Sequence, residues 1–352
     1  MTPKSAAPVL VTGATGYIAG HVIKELLANG YIVRGTVRDT SATHKTAHLR
    51  ALPGGERLEF VAADLTRDDG WAKAVDGCEY VMHVASPLPN HTPKNEDEVI
   101  RPAVDGTLRV LRACADDPGV KRVVLTSSIA AIRIGHPDDG RARTEDDWSN
   151  LDKCPVYPKS KTLAERAAWD FMADKGSAAG FELVAVNPGL VLGPLLNDDS
   201  STSVETLRKL VNRELPGSPR LGFAVVDVRD VAIAHRLALE TPAAAGNRYI
   251  VAGEHLWLKD MASILAAEFN PRGYRIPTRA IPNWVMWLAA RFDKTARLAL
   301  DFINVREHLS ADKARRELGW SMRPVDETLI ATVDSMIELG MVRDREKASA
   351  RG

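Results

Sequence analysis

Pro8-Val9-Leu10-Val11-Thr12-Gly13-Ala14-Thr15-Gly16-Tyr17-Ile18-Ala19 runs from a short apolar segment, through a glycine turn, into a stretch with helical period. Apolar residues recur at Ile18, Val22, Ile23, Leu26 and Leu27, and Gly30 closes the pattern. A strand, a tight turn and a helix in that order open a βαβ unit. Glycine at 13 permits the turn, glycine at 16 lets backbone approach a pyrophosphate, and a small residue at 19 allows close helix–strand packing. The N–H groups of the helix start, at Tyr17 and Ile18, then face the phosphates with the positive end of the helix dipole. A glycine pair alone is weak evidence; its place between strand and helix is what gives it weight.

Outward from that turn the first half alternates. Strands are predicted at 32–37 and in LEFVAADL (58–65), EYVMHVAS (79–86), KRVVLTSS (121–128) and FELVAVNPG (181–189), with helices over 99–114 and 157–175. Near-continuous apolar strands separated by helices predict a doubly wound α/β fold, a parallel Rossmann sheet covered on both faces. Past Pro188 the rhythm changes. FAVVDV and NRYIVAG read as strands that rejoin the sheet, with Asp230 capping the helix between them. From Leu258 the pattern is mostly helical, and ADKARRELGW with RPVDETLIATVDSMIEL reads as two packed helices. The expected division is a dinucleotide-binding domain over 1–188 plus about 223–252, and a smaller, mostly helical substrate-binding region over about 189–222 and 253–342. A frayed tail covers 343–352, and no internal repeat is visible.

Bulk properties narrow the function classes. The 352 residues carry 46 Lys+Arg against 46 Asp+Glu, so no strong field invites nucleic acid or an anionic membrane. Cys78, Cys114 and Cys154 are odd in number, far apart and form no CxxC, which predicts a reducing, cytoplasmic setting. MTPKSAAPVLVTG lacks the apolar length of a signal peptide, and the longest apolar run near the C-terminus, Trp284 to Ala290, is far below the roughly 20 residues of a membrane span. No His/Cys/carboxylate spacing suggests a metal.

The end of the second strand selects the dinucleotide. A count of about 20 residues past the turn reaches Asp39, the residue type that reads the ribose of NAD. Counted from Gly30, the strand closes at Val37 and Arg38 follows. A guanidinium there makes paired bonds to a 2′-phosphate, and Lys45 adds a second positive charge, so the reading is NADP(H) rather than two solvated loop cations.

Chemistry is suggested by Tyr157-Pro158-Lys159-Ser160-Lys161. Pro158 needs no N–H in a first turn, so the helix is predicted to start at Tyr157 or Pro158. Tyr157 and Lys161 then share a face. An ammonium within about 4–6 Å stabilises a phenolate and would bring the tyrosine pKa towards working pH. Tyr-x-x-x-Lys pairs are common in helices, so company matters. Thr126, Ser127 and Ser128 lie at the C-terminal end of a buried strand, where open α/β sheets bind ligands. Ser128, with Ser127 as alternative, can hydrogen-bond a substrate carbonyl while tyrosine donates the proton.

TGATGYIAGH, the DL at 64–65, HVASP at 83–87, LTSS, YPKSKTLAERAAW and NPGLVLGP together resemble an extended short-chain dehydrogenase/reductase. More narrowly, they resemble the dihydroflavonol-reductase-like branch, which includes cinnamoyl-CoA reductases and aldehyde (methylglyoxal) reductases. The resemblance implies Tyr157 as proton donor, Lys161 on the nicotinamide ribose and depressing the tyrosine pKa, and Ser128 orienting the carbonyl. It implies Asp64 and Leu65 at the adenine, Val84, Ala85 and Ser86 at the nicotinamide ribose, Pro188, Gly189, Leu190 and Val191 at the carboxamide, and Arg38 and Lys45 at the 2′-phosphate. Thr126 joins them at the strand end. Two departures stand out. Arg133 occupies the position where plant flavonoid reductases carry an amide or carboxylate, and CPVYPKSK replaces the NWYCYGK of cinnamoyl-CoA reductases. A general aldehyde or ketone reductase, monomeric or homodimeric, is the reading left.

Two alternatives compete. One is an NAD-dependent nucleotide-sugar epimerase/dehydratase or 3β-hydroxysteroid dehydrogenase; the other is a non-catalytic NADP-binding sensor. His83 and the pair Trp284/Trp287 read as core, and Cys154 as passive. Substrate choice is assigned to loops around 88–95, 129–136 and 190–202 and to the helical C-terminal region.

Overall fold

The computed structural model describes residues 7–86, 95–137, 139–198, 202–291 and 300–343. Most of the loop at 88–95, residues 199–201 of the loop at 190–202, and the tail from 344 lie outside them. Ten strands are present among the described residues: β1 (Val9–Val11), β2 (Val33–Val37), β3 (Leu58–Ala62), β4 (Tyr80–His83), β5 (Arg122–Thr126), β6 (Glu182–Pro188), β7 (Leu190–Leu192), β8 (Gly222–Asp227), β9 (Arg248–Val251) and β10 (His255–Trp257). They form a seven-stranded sheet in the order β3-β2-β1-β4-β5-β6-β9, every pair parallel, and a three-stranded sheet in the order β10-β8-β7. The order reverses beside β1, so a crevice opens at the strand ends between β1 and β4.

Two compact units divide the chain: Met1–Pro188 with Arg229–Val251 and Ser310–Ser321, and Gly189–Val228 with Ala252–Leu309 and Met322–Gly352. The first holds the large sheet with helices α1 (Tyr17–Ala28), α2 (Ala47–Arg50), α3 (Trp71–Val75), α4 (Asp97–Asp116) and α5 (Val156–Lys175). All five residues of β5 are buried, and so are all but the first of β6. Helices on both faces explain why these strands read as unbroken apolar runs. At about 1.5–3 kcal/mol for each large apolar side chain removed from water, this core dominates the unit's stability. Arg122, half of a 2.6 Å pair with Glu182, also donates to the carbonyls of Ala238, Leu239 and Thr241, where α7 (Val228–Glu240) ends. A cation at a helix C-terminus satisfies carbonyls that have no partner within the helix.

The second unit holds the small sheet with α6 (Thr202–Val211), α8 (Leu258–Phe269), α9 (Asn283–Ala289) and α11 (Val325–Glu338). Thr332 and Ser335 of α11 accept from the backbone of Gly193 at 2.7 Å and Leu195 at 2.9 Å, anchoring the chain that leaves β7.

The structure differs from the sequence reading in four places. β9 joins the large sheet, but β8 pairs with β7 and β10 instead. Hydrophobicity marks β8 as buried without specifying its partner. The DKARRELGW helix, α10 (Asp312–Leu318), belongs to the first unit, where Trp320 donates to the carbonyl of Asp230 at 2.9 Å; α11 belongs to the second. Asp230 sits inside the first turn of α7 rather than capping it. Trp284 and Trp287, read as core, are 69% and 70% exposed. Helical spacing places them on one face but does not say whether anything covers that face. Among the described residues, no helix is long and apolar enough to cross a membrane.

Candidate active site

The glycine turn fits a dinucleotide for reasons visible in the backbone. Gly13 has φ +66°, and a Cβ there would lie 2.8 Å from the Cβ of Ala85. Its N–H donates to Thr36 Oγ1 and that of Ala14 to the Thr36 carbonyl, both at 2.9 Å, pinning the turn to β2. Gly16 caps α1 with no side-chain hydrogen bond and no acid in the first turn, so the helix end presents its N–H groups and positive dipole with no protein anion to neutralise them. From the other side Thr12 Oγ1 accepts the N–H of Ala85 at 3.0 Å, which holds the Val84–Ala85–Ser86 stretch against the turn.

At the ends of β2 and β3 the side chains sort by charge. Arg38 and Lys45 are exposed. Asp39, the competing ribose reader, is folded into its own loop, accepting from Ser41 N at 2.8 Å and Ser41 Oγ at 2.6 Å, bonds that lower its pKa. Asp64 accepts from Thr66 N and Thr66 Oγ1, both at 2.8 Å; these bonds hold its pKa down, and the charge of Arg38 adds to the effect. Leu65 packs against the core beside them.

Helix α5 starts at Val156, one residue before the predicted start, with Pro155 as N-cap. Pro158 falls in the first turn, where its missing N–H costs nothing. Tyr157, Lys161 and Glu165 then follow at intervals of four on one face. Ser128 begins the turn Ile129–Ala131, and its Oγ accepts the N–H of Ala130 at 3.1 Å, leaving the hydroxyl proton to donate. That hydroxyl lies close enough to the Tyr157 side chain to lower its pKa. Ser127, the alternative, is buried and donates to Glu165 Oε2 at 2.5 Å. Thr126 is engaged too, its hydroxyl meeting His235 Nε2 at 2.7 Å.

The electrostatics revise one expectation. Tyr157 is 43% exposed and reachable, yet the surroundings of its hydroxyl raise its pKa above that of a free phenol. Burial raises it, the neighbouring Ser128 hydroxyl lowers it, and the cation that lowers it is Arg133, not Lys161. Lys161 is itself pushed down to about 8 by burial, with the carboxylate of Glu165 opposing the shift. Its charge is felt instead by His83, which burial and Lys161 together push down to about 3. His83 is therefore neutral, its Nδ1 3.0 Å from the Thr12 hydroxyl. Cys154 has its pKa raised by burial, partly offset by Lys159, Arg133 and Arg166, as befits a passive thiol.

The sequence reading missed Thr12, Glu165, Asn187 and Arg248. Glu165 was visible as the third member of the four-residue repeat, and Arg248 as a lone cation opening an apolar strand. Pro188 ends β6 buried in the first unit; Gly189, Leu190 and Val191 lie in the second, where a Cβ on Gly189 would meet the Ala224 carbonyl oxygen at 2.1 Å. Among the described residues no group of three or more His, Cys, Asp or Glu could hold a metal ion.

Comparison with known proteins fits this geometry. A family model described as the NAD dependent epimerase/dehydratase family matches residues 9–253. Tetraketide alpha-pyrone reductase 1 of Arabidopsis thaliana is 36% identical, covering 94% of this chain and 96% of its own. Cinnamoyl-CoA reductase 1 of the same plant is also 36% identical, covering 94% and 90%. Among solved structures, yeast methylglyoxal/isovaleraldehyde reductase complexed with NADPH superposes with a TM-score of 0.79 at 28% identity, covering 95% of this chain and 99% of that one.

Proposed function

The chain belongs to the NAD-dependent epimerase/dehydratase family, and on that premise we propose that it reduces an aldehyde or ketone to an alcohol with NADPH, Tyr157 supplying the proton. The observation that carries this reading is the exposed Tyr157 at the head of α5, with the Ser128 hydroxyl close enough to lower its pKa and Lys161 one turn behind. Gly13, Gly16 and the start of α1 would hold the pyrophosphate. Arg38 and Lys45 would hold the 2′-phosphate, Asp64 and Leu65 the adenine end, and Val84 to Ser86 with Lys161 the nicotinamide ribose. The bound dinucleotide supplies a hydride to the carbonyl carbon. Ser128 and Tyr157 donate to the carbonyl oxygen, and the phenol proton moves onto it as negative charge develops. A phenol with a raised pKa stays protonated at neutral pH, as an acid must, and the charge of Arg133 stabilises the phenolate left behind.

The NADPH preference rests on Arg38 being exposed at the end of β2 while Asp39 is occupied by Ser41. The test is NADPH and NADH oxidation against aldehydes, α-dicarbonyls, β-keto esters and aryl ketones, with the alcohol identified. NADPH oxidation matched by alcohol is expected, and Arg38→Ala should weaken NADPH by roughly 10–100-fold, the worth of charge-assisted hydrogen bonds, while leaving NADH unchanged. NAD retained through purification with no exchange would favour the epimerase reading. Tight NADPH binding with no carbonyl consumed would favour the sensor.

A further inference from the structure

We propose that Glu165 is a positioning residue of the reductase site, fixing Ser128 through a buried carboxylate one helical turn from Lys161; this rests on the reading above. Glu165 is 1% exposed and lies one turn beyond Lys161 on α5. Its Oε2 takes the Ser127 hydroxyl at 2.5 Å and Asn187 Nδ2 at 2.8 Å. The same Asn187 amide reaches the Ser128 carbonyl at 3.2 Å. The carboxylate therefore holds the strand end on both sides of Ser128, by the side chain before it and by its own carbonyl.

Opposite, Arg248 of β9 closes on Glu165 with Nε at 2.6 Å and Nη2 at 3.3 Å. Its Nη1 donates to the carbonyls of Glu145 at 2.6 Å and Asp147 at 2.9 Å, and the guanidinium stacks on Trp148 at 3.7 Å. Trp169 Nε1 supplies a further contact to Glu165 at 3.3 Å. A buried ion pair is weak evidence for stability, because desolvation offsets most of its attraction. Its geometry is the more telling feature: one carboxylate joins β5, β6, β9 and the reacting helix. Lys161, Glu165 and Ser127 also line a common small cavity with Ser86 and Thr107. Of the titratable groups around Lys161, His83 on β4 stays neutral through the working range, so Glu165 is the anion that retains the ammonium charge.

Two variants test this. Glu165→Gln/Arg248→Met removes both buried charges at similar volume and avoids an orphaned arginine. Glu165→Asp keeps the charge but draws the carboxylate back by about 1 Å, a displacement that can cost up to ~10²-fold in rate. The first readout is the pH midpoint of Lys161 acylation, followed by mass spectrometry of its peptide, which needs no turnover. Wild type and Glu165→Asp should react with a midpoint near the lysine's pKa of about 8, and the double variant with a lower one. The second is kcat with NADPH saturating: Glu165→Asp should lose roughly 10–10²-fold. An unshifted midpoint in the folded double variant, or wild-type kcat in Glu165→Asp, overturns the proposal. If the double variant does not fold, Glu165→Asp decides alone. If wild type reduces no carbonyl, the reductase reading fails by itself and the acylation midpoints still judge Glu165.

Discussion

The first and third turns of α5 lie about 12 Å apart along one face and are opposite in character. At the first, Tyr157 is 43% exposed, and its pKa is set by burial, one serine hydroxyl and one arginine charge. At the third, Glu165 is sealed in and takes hydrogen bonds from Ser127, Asn187, Trp169 and Arg248. A group that gives up a proton must be reachable and must tolerate both of its charge states. A group that fixes geometry must do neither. Placing both on one rigid helix lets the locked end hold the working end in register.

The sharpest way to break that contrast is Tyr157→Phe. It should lower kcat by ~10²–10⁴-fold with NADPH affinity unchanged, measured by steady-state kinetics beside fluorescence titration. Next in size is Lys161→Met, expected to weaken NADPH by roughly 10–100-fold through lost charge-assisted hydrogen bonds. Its pH behaviour sharpens the contrast further. The Lys161 pKa is lowered to about 8, so its charge is present below that pH and lost above it. Wild-type NADPH affinity should therefore fall as pH rises through about 8, by isothermal titration, and Lys161→Met should show no such fall. The smallest effects separate two neighbouring serines. Ser128→Ala should cut kcat and cost no more stability than the loss of one turn cap, about 0.5–2 kcal/mol. Ser127→Ala removes a donor from a buried carboxylate, so it should cost about 1–3 kcal/mol in denaturant unfolding and touch kcat less.

The sequence was most legible where its rules are local. A glycine turn between strand and helix, apolar runs separated by helical periods, and a four-residue interval on one helix are all written in neighbouring residues. They lead to the parallel sheet and to the elements that carry Ser128, Tyr157 and Lys161. Non-local choices were not legible. The partner of β8 and the unit that owns α10 depend on pairings far along the chain, and nothing in FAVVDV or DKARRELGW encodes them. The charge acting on Tyr157 is of the same kind. Spacing pointed to Lys161, but the turn after Ser128 brings in Arg133, whose sequence position says nothing about a phenol on another element. Thr126 shows a further limit: a strand end places a hydroxyl near the crevice, and only the packing of His235 against it decides its hydrogen-bond partner.

The most direct measurement follows the hydride. NADPH carrying deuterium at both C4 positions, bound to the enzyme and mixed with a carbonyl that it consumes, should leave one deuterium on the carbinol carbon per cofactor oxidised, read by mass spectrometry in a single turnover. Oxidised cofactor with no deuterium in the product, or a bound cofactor that no carbonyl oxidises, would contradict the account.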